Sequence, residues 1–261
     1  MTIEKKLLGT NPVSGEVLPE AVSFDGTNDN LYRSSDLAGN ADGKTFTLSF
    51  WVYHDPNAVQ GIYRGYKAQN NLDIRFSASD IIIEGKYSNS LNLSMYSSGA
   101  LVPRDTFVNI IISIDMSNTS RRFVYMNDVD VTSRFTFATY NNALLSFTYT
   151  NHYIASRSPS ASRLHGRLAN FFMDRTYRDL SVTANRRLFI TADGKPSDTI
   201  PSNPIMYLPM KDAATAGVNS GTGGNFAAVG LLATAERGPN QDNCVASVFD
   251  GSNDYLFRSS I

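Results

Sequence analysis

Carboxylate side chains are the first candidates for catalysis, because enzymes that cleave glycosidic bonds place two carboxyl groups beside the bond. The five glutamates are scattered along the chain: Glu4, Glu16, Glu20, Glu84 and Glu236. No Glu-x-Asp-x-Glu spacing occurs. Asp128 and Asp130 alternate and would share one strand face, but they follow a predicted hairpin turn, where we expect water to surround them. The sequence therefore predicts that the protein is not an enzyme.

The histidines and the cysteine offer no metal or nucleophile site. His54, His152 and His165 lack the spacing of zinc ligands, and no Gly-x-Ser-x-Gly segment accompanies them. We expect each histidine to be an ordinary polar surface residue. A single cysteine, Cys244, excludes both an intramolecular disulfide and a zinc site built from cysteines. The glycine-rich residues 221–224 lack the Lys-Ser/Thr pair of a phosphate-binding loop, so no cofactor is implied.

Calcium is the metal that the sequence comes nearest to supporting. Asp25, Asn28 and Asp29 offer oxygen ligands within five residues, whereas calcium takes six to eight oxygens. The same three residues recur 225 positions later as Asp250, Asn253 and Asp254. The alternative, which we favour, is structural: Asp25 forms a side-chain turn and Gly26 supplies a positive φ angle.

Glycan binding would use aromatic faces and amide side chains. Residues of these types cluster around one predicted turn: Tyr140, Asn141, Asn142, Tyr149, Asn151, His152 and Tyr153. We predict glycan contact there. The alternative is that the tyrosines and asparagines simply cover a polar strand surface.

The composition fits a globular chain with one sizeable core, since 42% of the 261 residues are hydrophobic and 18% are charged. The net charge of −1 gives no reason to expect nucleic acid or an anionic membrane as a partner. No apolar run approaches the length of a membrane span, and residues 1–15 lack the apolar segment of a signal peptide. We expect synthesis in the cytoplasm and no membrane partner.

Apolar periodicity predicts strands that must form the core. Residues 45–53 alternate, which places four apolar side chains on one face. Residues 108–115 form a continuous apolar run, as expected for a central strand covered on both faces. The predicted core is Phe46, Leu48, Phe50, Val52, Ile110, Ile112 and Ile114.

Turn signals recur about every ten residues, which predicts an all-β antiparallel sandwich. Asn127-Asp128 predicts a hairpin between strands at residues 121–126 and 129–133. Further strands are predicted at residues 72–77, 81–86, 90–96, 146–156 and 167–173.

Two predicted segments follow the last of these strands. Residues 180–190 predict a short helix that covers one edge of the sandwich, with Asp179 or Ser181 as its cap. Residues 213–230, rich in Gly, Ala and Asn, predict a flexible loop.

An internal repeat stands out. Residues 24–35 recur as residues 249–260, with nine of twelve positions identical. Two interpretations stay open. One strand–turn–strand unit is duplicated, or the chain ends with the opening of a second, incomplete domain.

Four ordered segments resemble the laminin-G-like, concanavalin-A-like jelly-roll family. They are the Phe-Asp-Gly element at residues 24–32, the Phe-Thr-x-Ser-x-Trp-Val strand at 46–52, the hairpin at 125–128 and the final strand at 166–172. The resemblance covers roughly residues 20–190 and implies an antiparallel jelly-roll sandwich. Two departures occur, since Asp128 replaces the hairpin glycine and Phe107 stands where many members have tryptophan.

Residues 177–196 look like the variant of this domain carried by tailed-bacteriophage virion proteins. Residues 205–209 and the glycine-rich stretch after them resemble the strand and loop that precede the Phe-Asp-Gly element. The resemblance implies a structural and adhesive virion protein, a head decoration or fibre component, made in the host cytoplasm. Its implied partners are other virion proteins, copies of itself and a host-surface glycan. The alternatives are a lectin-like module and, less favoured, a polysaccharide-cleaving enzyme.

The chain is divided on this basis into a lead segment (1–19), a jelly-roll domain (20–195) and an irregular C-terminal extension (196–261). The repeat in the extension predicts a strand for assembly, with the contact residues Phe249, Asp250, Tyr255, Phe257 and Arg258. We expect it to pack against a neighbouring subunit or an accessory partner. The alternative is that the extension adds edge strands to its own sandwich.

Overall fold

A computed structural model describes residues 20–54 and 59–240. In chain order its strands are β1 (Val22–Asp25), β2 (Asn30–Arg33), β3 (Thr45–His54), β4 (Val59–Lys67), β5 (Asn70–Ser77), β6 (Asp80–Tyr87), β7 (Ser90–Ser97), β8 (Val108–Asp115), β9 (Arg122–Met126), β10 (Val129–Asp130), β11 (Phe135–Tyr140), β12 (Asn151–Ile154), β13 (His165–Asp174), β14 (Met206–Leu208), β15 (Ala227–Val229) and β16 (Ala233–Thr234). One turn of 3-10 helix spans Thr132–Arg134, and α1 spans Thr183–Arg186.

The strands form two antiparallel eight-stranded sheets. The first has the order β10-β9-β8-β3-β13-β1-β16, with β14 also paired to β13. The second has the order β11-β7-β6-β5-β4-β12-β2-β15. Sequential strands pair within the second sheet, whereas β1 and β2 belong to different sheets. This is the all-β sandwich that the sequence predicts.

The core lies between the sheets and contains every residue that the alternation placed there. Phe46, Leu48, Phe50 and Val52 of β3 are fully buried, and so are Ile110, Ile112 and Ile114 of β8. Because β3 pairs with β8 along its length, these seven side chains line one continuous patch. The predicted core is confirmed.

The other face of β3 and β8 is also covered, as the continuous apolar run predicts. Leu180, Phe189 and Ile190 are buried against Trp51 and Phe172. The Phe172 and Phe189 rings lie 4.9 Å apart. The segment after β13 therefore covers the outer face of the first sheet, not an edge of the sandwich.

The helix predicted at residues 180–190 is shorter than expected. Only Thr183–Arg186 is α-helical. The β-branched Val182 has extended backbone and precedes the helix, with no side-chain cap from Asp179 or Ser181. Packing of the apolar residues that follow outweighs continued helix. Arg186 and Arg187 are instead fixed by Asp128, at 2.5 and 2.7 Å. The expectation that water surrounds Asp128 is therefore wrong.

The predicted hairpin is present, with φ angles of 47° at Asn127 and 66° at Asp128. Asp128 thus tolerates the left-handed conformation in place of glycine. The strand after it ends at Asp130, because side-chain hydrogen bonds take the place of further backbone pairing between the two strands. The Thr132 N–H donates to Asp130 Oδ1, and Val124 N–H donates to Thr132 Oγ1.

The strand predicted at residues 146–156 is present only over Asn151–Ile154. Residues 146–148 bind a distant carboxylate instead of a neighbouring strand. Asp42 Oδ1 accepts hydrogen bonds from Phe147 N–H at 2.8 Å and from Thr148 N–H at 3.0 Å. A side chain more than a hundred residues away therefore decides this local structure.

The prediction of a flexible loop at residues 213–230 is wrong. Asn219 is 8% exposed, and its side chain accepts from Tyr207 N–H and donates to the Ile205 and Gly224 carbonyls. Ala216 and Phe226 are also buried. The asparagine thus ties the segment to β14, and backbone bonds such as Phe226 N–H to the Gly217 carbonyl add to it. The segment carries β15, and together with β14 and β16 it extends both sheets.

The described residues contain no helix that is long and apolar enough to span a membrane.

Candidate functional site

Three tyrosines form a ladder on the outer face of the second sheet. Tyr32 of β2 lies directly opposite Tyr153 of β12, and their rings stack with centroids 4.8 Å apart. On the other side of Tyr153, the Tyr66 ring is nearly parallel at 6.0 Å. Alternation along β4 and β12 places these side chains on one face. We call Tyr32, Tyr66 and Tyr153 the tyrosine ladder.

The ladder carries polar groups at its outer rim. The Tyr32 hydroxyl donates to Asn151 Oδ1 at 2.8 Å. Burial and hydrogen bonding to the two flanking tyrosines raise the pKa of the Tyr153 hydroxyl, so it stays neutral. Tyr32 and Tyr66 remain partly exposed, whereas Tyr153 is 3% exposed. The ladder therefore presents aromatic carbon edged by hydroxyl and amide groups.

A charged cluster continues the same face toward β5 and β6. Arg75 Nη1 lies 3.0 Å from Asp73 Oδ2 and 2.9 Å from Glu84 Oε2. Arg157 also binds Asp73 through a short hydrogen bond from Nη2. The hydrogen bond from Arg75 lowers the pKa of Glu84. The charges of these four residues cancel, and their ion pairs hold the side chains in place on the outer face of the sheet.

Arg64 joins the ladder to the charged cluster. It is the cross-strand partner of both Tyr153 and Asp73, and its guanidinium lies 5.3 Å from the Tyr66 ring centroid. Its Nη1 donates to the Arg157 carbonyl at 3.2 Å. Within the described residues Arg64 has no ion pair, and its buried Nε has no hydrogen-bond partner. Arg64 is partly exposed and is paired with no carboxylate of the described residues, so the charged end of its side chain can meet a ligand.

A cavity of about 200 Å³ opens beside the ladder. It is lined by Asn30, Tyr32, Tyr153, Pro159 and Val229. A side group of a ligand lying on the ladder can enter this cavity.

A larger groove of about 390 Å³ opens where β1 and β13 meet, beside His165, Arg167 and Tyr53. Its carboxylates serve the turn after β1. Asp25 Oδ1 accepts from Thr27 N–H at 2.7 Å, and the Asp29 carboxylate, 2% exposed, accepts from Asp25 N–H. The groove thus offers room, and of the oxygens of these two residues Asp29 Oδ1 is buried without a hydrogen-bond partner within the described residues.

The calcium candidates lie in this turn. Gly26 has a φ of +75°, as the side-chain-turn alternative requires. Burial alone would raise the pKa of the Asp25 carboxyl, but hydrogen bonds from backbone N–H groups outweigh it and lower that pKa. Burial raises the pKa of Asp29. Within the described residues, no three His, Cys, Asp or Glu side chains are grouped to hold a metal. Asp25 Oδ1 and Asp29 Oδ2 are used by the fold itself, whereas within the described residues Asp29 Oδ1 is buried without a hydrogen-bond partner.

The glycan candidates divide into three groups. Asn151 and Tyr153 lie in or beside the ladder. Tyr140, Asn141 and Asn142 lie near the opposite edge of the sheet, at the end of β11. The Tyr140 hydroxyl donates to the Asp115 carbonyl at 2.8 Å, and Asn142 accepts from Lys44 at 2.8 Å. The sheet thus separates the residues that sequence proximity grouped.

Tyr149 and His152 are fully buried inside the sandwich. His152 Nδ1 lies 3.0 Å from the Tyr63 hydroxyl, and its Nε2 lies 3.2 Å from the Tyr149 carbonyl. Burial lowers the pKa of His152 to about 4, so the ring is neutral at pH 7. His54 is buried as well, against Phe76. The expected surface location is wrong for His54 and His152, while His165 is exposed.

Sequence reasoning missed most of the ladder and its surroundings. The missed residues are Tyr32, Arg64, Tyr66, Asp73, Arg75, Glu84 and Arg157. For Arg64, Tyr66, Asp73 and Arg75 the signal is visible in β4 and β5, where they alternate with residues that face the core. The predicted assembly residues, 249–258, lie outside the described residues.

The comparisons with known proteins establish the fold. No protein-family model matches the chain, and no curated protein matches it either. The structure is similar to a native heptameric SAP-like pentraxin from Limulus polyphemus, with a TM-score of 0.53, 10% identity, and coverage of 82% of this chain and 94% of that one. It is also similar to a proposed carbohydrate-binding protein from Bacteroides ovatus, with a TM-score of 0.50, 11% identity, and coverage of 84% of this chain and 60% of that one.

Mouse laminin α1 domains LG4-5 match with a TM-score of 0.43, 9% identity, and coverage of 64% of this chain and 44% of that one. Identities this low indicate a shared fold at most. The two antiparallel sheets and the similarity to the pentraxin confirm the predicted jelly-roll sandwich.

Proposed function

We propose that the protein is a non-catalytic binding module that holds a glycan on the tyrosine ladder. The observation that carries the proposal is the stacked arrangement of Tyr32, Tyr153 and Tyr66 beside Arg64. Sugar rings have apolar C–H faces that pack on aromatic carbon, and hydroxyl groups that need directed hydrogen-bond partners. The ladder and Arg64 supply both within one surface.

The preorganisation of this surface supports binding rather than catalysis. Tyr153 is held between two rings, and Asp73 and Glu84 are held by arginines, so little side-chain entropy is lost when a ligand binds. Both carboxylates already accept charged hydrogen bonds, and the pKa of Glu84 is lowered. A general acid for glycoside cleavage needs a raised pKa instead.

A glycan microarray with the full-length chain tests this function, followed by calorimetric titration of the best glycan. Tyr66→Ala should weaken binding about tenfold, which corresponds to about 1.4 kcal/mol. Tyr96→Ala is the matched control, because Tyr96 is 41% exposed on the same sheet but lies on β7, outside the ladder. Failure to bind any glycan, or an equal loss in both variants, would contradict the proposal.

We further propose that this module is a structural and adhesive component of a tailed-bacteriophage virion, a head decoration or fibre component, that contacts other virion proteins and copies of itself. Support comes from the sequence resemblance at residues 177–196 and 205–209. Light scattering on the purified chain tests it: a trimer, or a need for a partner, agrees with the virion role. A strict monomer favours the alternative, an isolated lectin-like module.

The segment at residues 249–258 stays our predicted assembly contact. Deletion of residues 240–261 should abolish assembly without changing the melting temperature of the monomer. Assembly that survives this deletion would show that the contact lies elsewhere.

A further inference from the structure

The first copy of the internal repeat occupies a defined place in the sandwich. Residues 24–35 contribute to β1, the turn after it and β2. β1 lies between β13 and β16 in the first sheet, and β2 lies between β12 and β15 in the second. We call the space bounded by these four strands the repeat slot.

The outer walls of the repeat slot come from the chain just before the second copy. β15 and β16 end at Val229 and Thr234, and the second copy begins at Phe249. Residues 235–240 lie beside the segment just before the first copy, since Ala235 N–H donates to the Ala21 carbonyl and Asn240 binds Glu20. The remaining connecting residues 241–248 can span roughly 26 Å when extended, at about 3.3 Å per residue. Because β16 is antiparallel to β1, a chain that turns back after β16 would run in the direction of β1. The second copy can therefore reach the slot of its own chain.

Three side chains that fill the slot are the same in both copies. Phe24 is 2% exposed and Leu31 is fully buried. The second copy has phenylalanine and leucine at the same two positions, Phe249 and Leu256. Arg33, which donates to the Asn225 carbonyl at 2.9 Å, is matched by Arg258.

The turn is also retained. Gly26 has a φ of +75°, and a Cβ there would lie 2.9 Å from the His165 Cβ, so only glycine fits well. Asp25 Oδ1 accepts from Thr27 N–H to close the turn. The equivalents in the second copy are Asp250, Gly251 and Ser252.

The two copies differ at some positions in the slot, and these differences do not all favour occupation of the slot by the first copy. Val22 is fully buried, and its equivalent is Ser247, which favours the first copy. Asn30 favours the second, since it is 2% exposed and its Oδ1 has no hydrogen-bond partner within the described residues. Asn30 also borders the 200 Å³ cavity, and its equivalent, Tyr255, has a ring that can occupy such space.

We propose that the repeat slot accepts either copy, so that residues 249–260 of the same chain exchange with residues 24–35 between β13 and β16 and between β12 and β15. The slot recognises the shared phenylalanine, turn, leucine and arginine. The copy left outside is then the one available for contacts with other subunits. The exchange would replace Tyr32 of the tyrosine ladder by Phe257, which lacks the hydroxyl that donates to Asn151. Its test needs no glycan, so it can fail or succeed separately from the proposed function.

Disulfide trapping in the full-length chain tests the exchange. Ser23 and Ala233 are cross-strand partners in the structure, and the residue equivalent to Ser23 is Val248. A disulfide in Ser23→Cys/Ala233→Cys shows that the first copy lies beside β16, and a disulfide in Val248→Cys/Ala233→Cys shows that the second copy does. Both variants also carry Cys244→Ser. Non-reducing electrophoresis and peptide mass mapping measure each disulfide, and the separation of monomer from dimer shows whether it lies within one chain.

We expect both disulfides to form within single chains. Phe24→Ala should raise the yield of the 248–233 disulfide several-fold and lower that of the 23–233 disulfide. Adding Phe249→Ala should remove the gain. The proposal is overturned if the 23–233 disulfide forms but the 248–233 disulfide does not, even with Phe24→Ala. It is equally overturned if the 248–233 disulfide forms only between two chains.

Discussion

The Tyr32 hydroxyl donates a 2.8 Å hydrogen bond to the Asn151 side-chain oxygen, although 119 residues separate the two in sequence. This bond joins β2 to β12 on the outer face of the second sheet. It fixes the Tyr32 ring against Tyr153, where the two rings stack. A single phenol therefore links the amide group to the aromatic surface that we propose binds a glycan.

Removal of that hydroxyl tests its role in binding. Tyr32→Phe keeps the stacked ring but loses the bond to Asn151, so we expect glycan affinity to fall about threefold to tenfold, as for the net loss of one hydrogen bond. Unfolding free energy should change by less than about 1 kcal/mol, because Tyr32 is partly exposed. Calorimetric titration and urea unfolding measure the two effects. Unchanged affinity would remove Tyr32 from the binding surface.

Truncation of the core should be costly. Phe50 is fully buried and stacks on Phe171 with ring centroids 6.2 Å apart. Phe50→Ala should lower the free energy of unfolding by about 3–5 kcal/mol, because it leaves a cavity. The control is Val129→Ala, since Val129 is 63% exposed, and its effect should stay within about 0.5 kcal/mol. Similar losses for both variants in urea titrations would refute the assigned strand faces.

Asp42 should make stability depend on pH in acid. Its pKa is lowered, since hydrogen bonds from Phe147, Thr148 and Ser146 outweigh the opposing effect of burial. The folded-state pKa lies below the unfolded value of 3.8, so Asp42 stabilises the fold above about pH 4. This contribution is lost as the pH falls through the folded-state pKa.

Asp42→Ala should therefore destabilise the protein by about 1.5–3 kcal/mol at pH 7, as for hydrogen bonds to a charged group. At pH 2.5 the difference from the unmodified chain should shrink. Urea titrations at both pH values measure the two differences, and other carboxylates cancel because both proteins contain them. A difference that is the same at both pH values would assign the effect to packing.

Asn219 should hold the C-terminal segment in place. Its side chain hydrogen-bonds to the backbone of Ile205, Tyr207, Gly221 and Gly224. Asn219→Ala removes these bonds and takes this partner from the Tyr207 and Gly221 N–H groups and the Gly224 carbonyl, whereas the Ile205 carbonyl still accepts from Gly223 N–H. The change should cost about 2 kcal/mol or more. Limited proteolysis should then cleave within residues 213–230. Val218→Ala, at a position 46% exposed, is the control from the same segment, and cleavage as slow as in this control would contradict the prediction.

The strand faces were predictable because alternation has a period of two and depends on neighbouring residues alone. Phe50 and Ile112 lie where this period placed them. Residues 146–148 were not predictable in this way, since Asp42 holds them across more than a hundred residues. The structure of residues 213–230 likewise depends on specific hydrogen bonds, several of them from Asn219, which composition cannot reveal.

The candidate site was harder to predict because it combines β2, β4, β5, β6 and β12. Asn151 and Tyr153 were found from residue type, and alternation within β12 explains why His152, between them, faces the core. Tyr32 and Arg64 approach Tyr153 only through strand pairing. The sheet order that brings them together is a property of the whole fold.

The most direct test of the glycan site is a heteronuclear NMR titration of the full-length chain with the best glycan from the microarray. We predict that the largest shift changes occur at Tyr32, Tyr66 and the Arg64 guanidinium, with small changes at His165 and Arg167. Shift changes centred instead on the groove beside His165 and Arg167 would contradict the account and move the binding site to the end of β1 and β13.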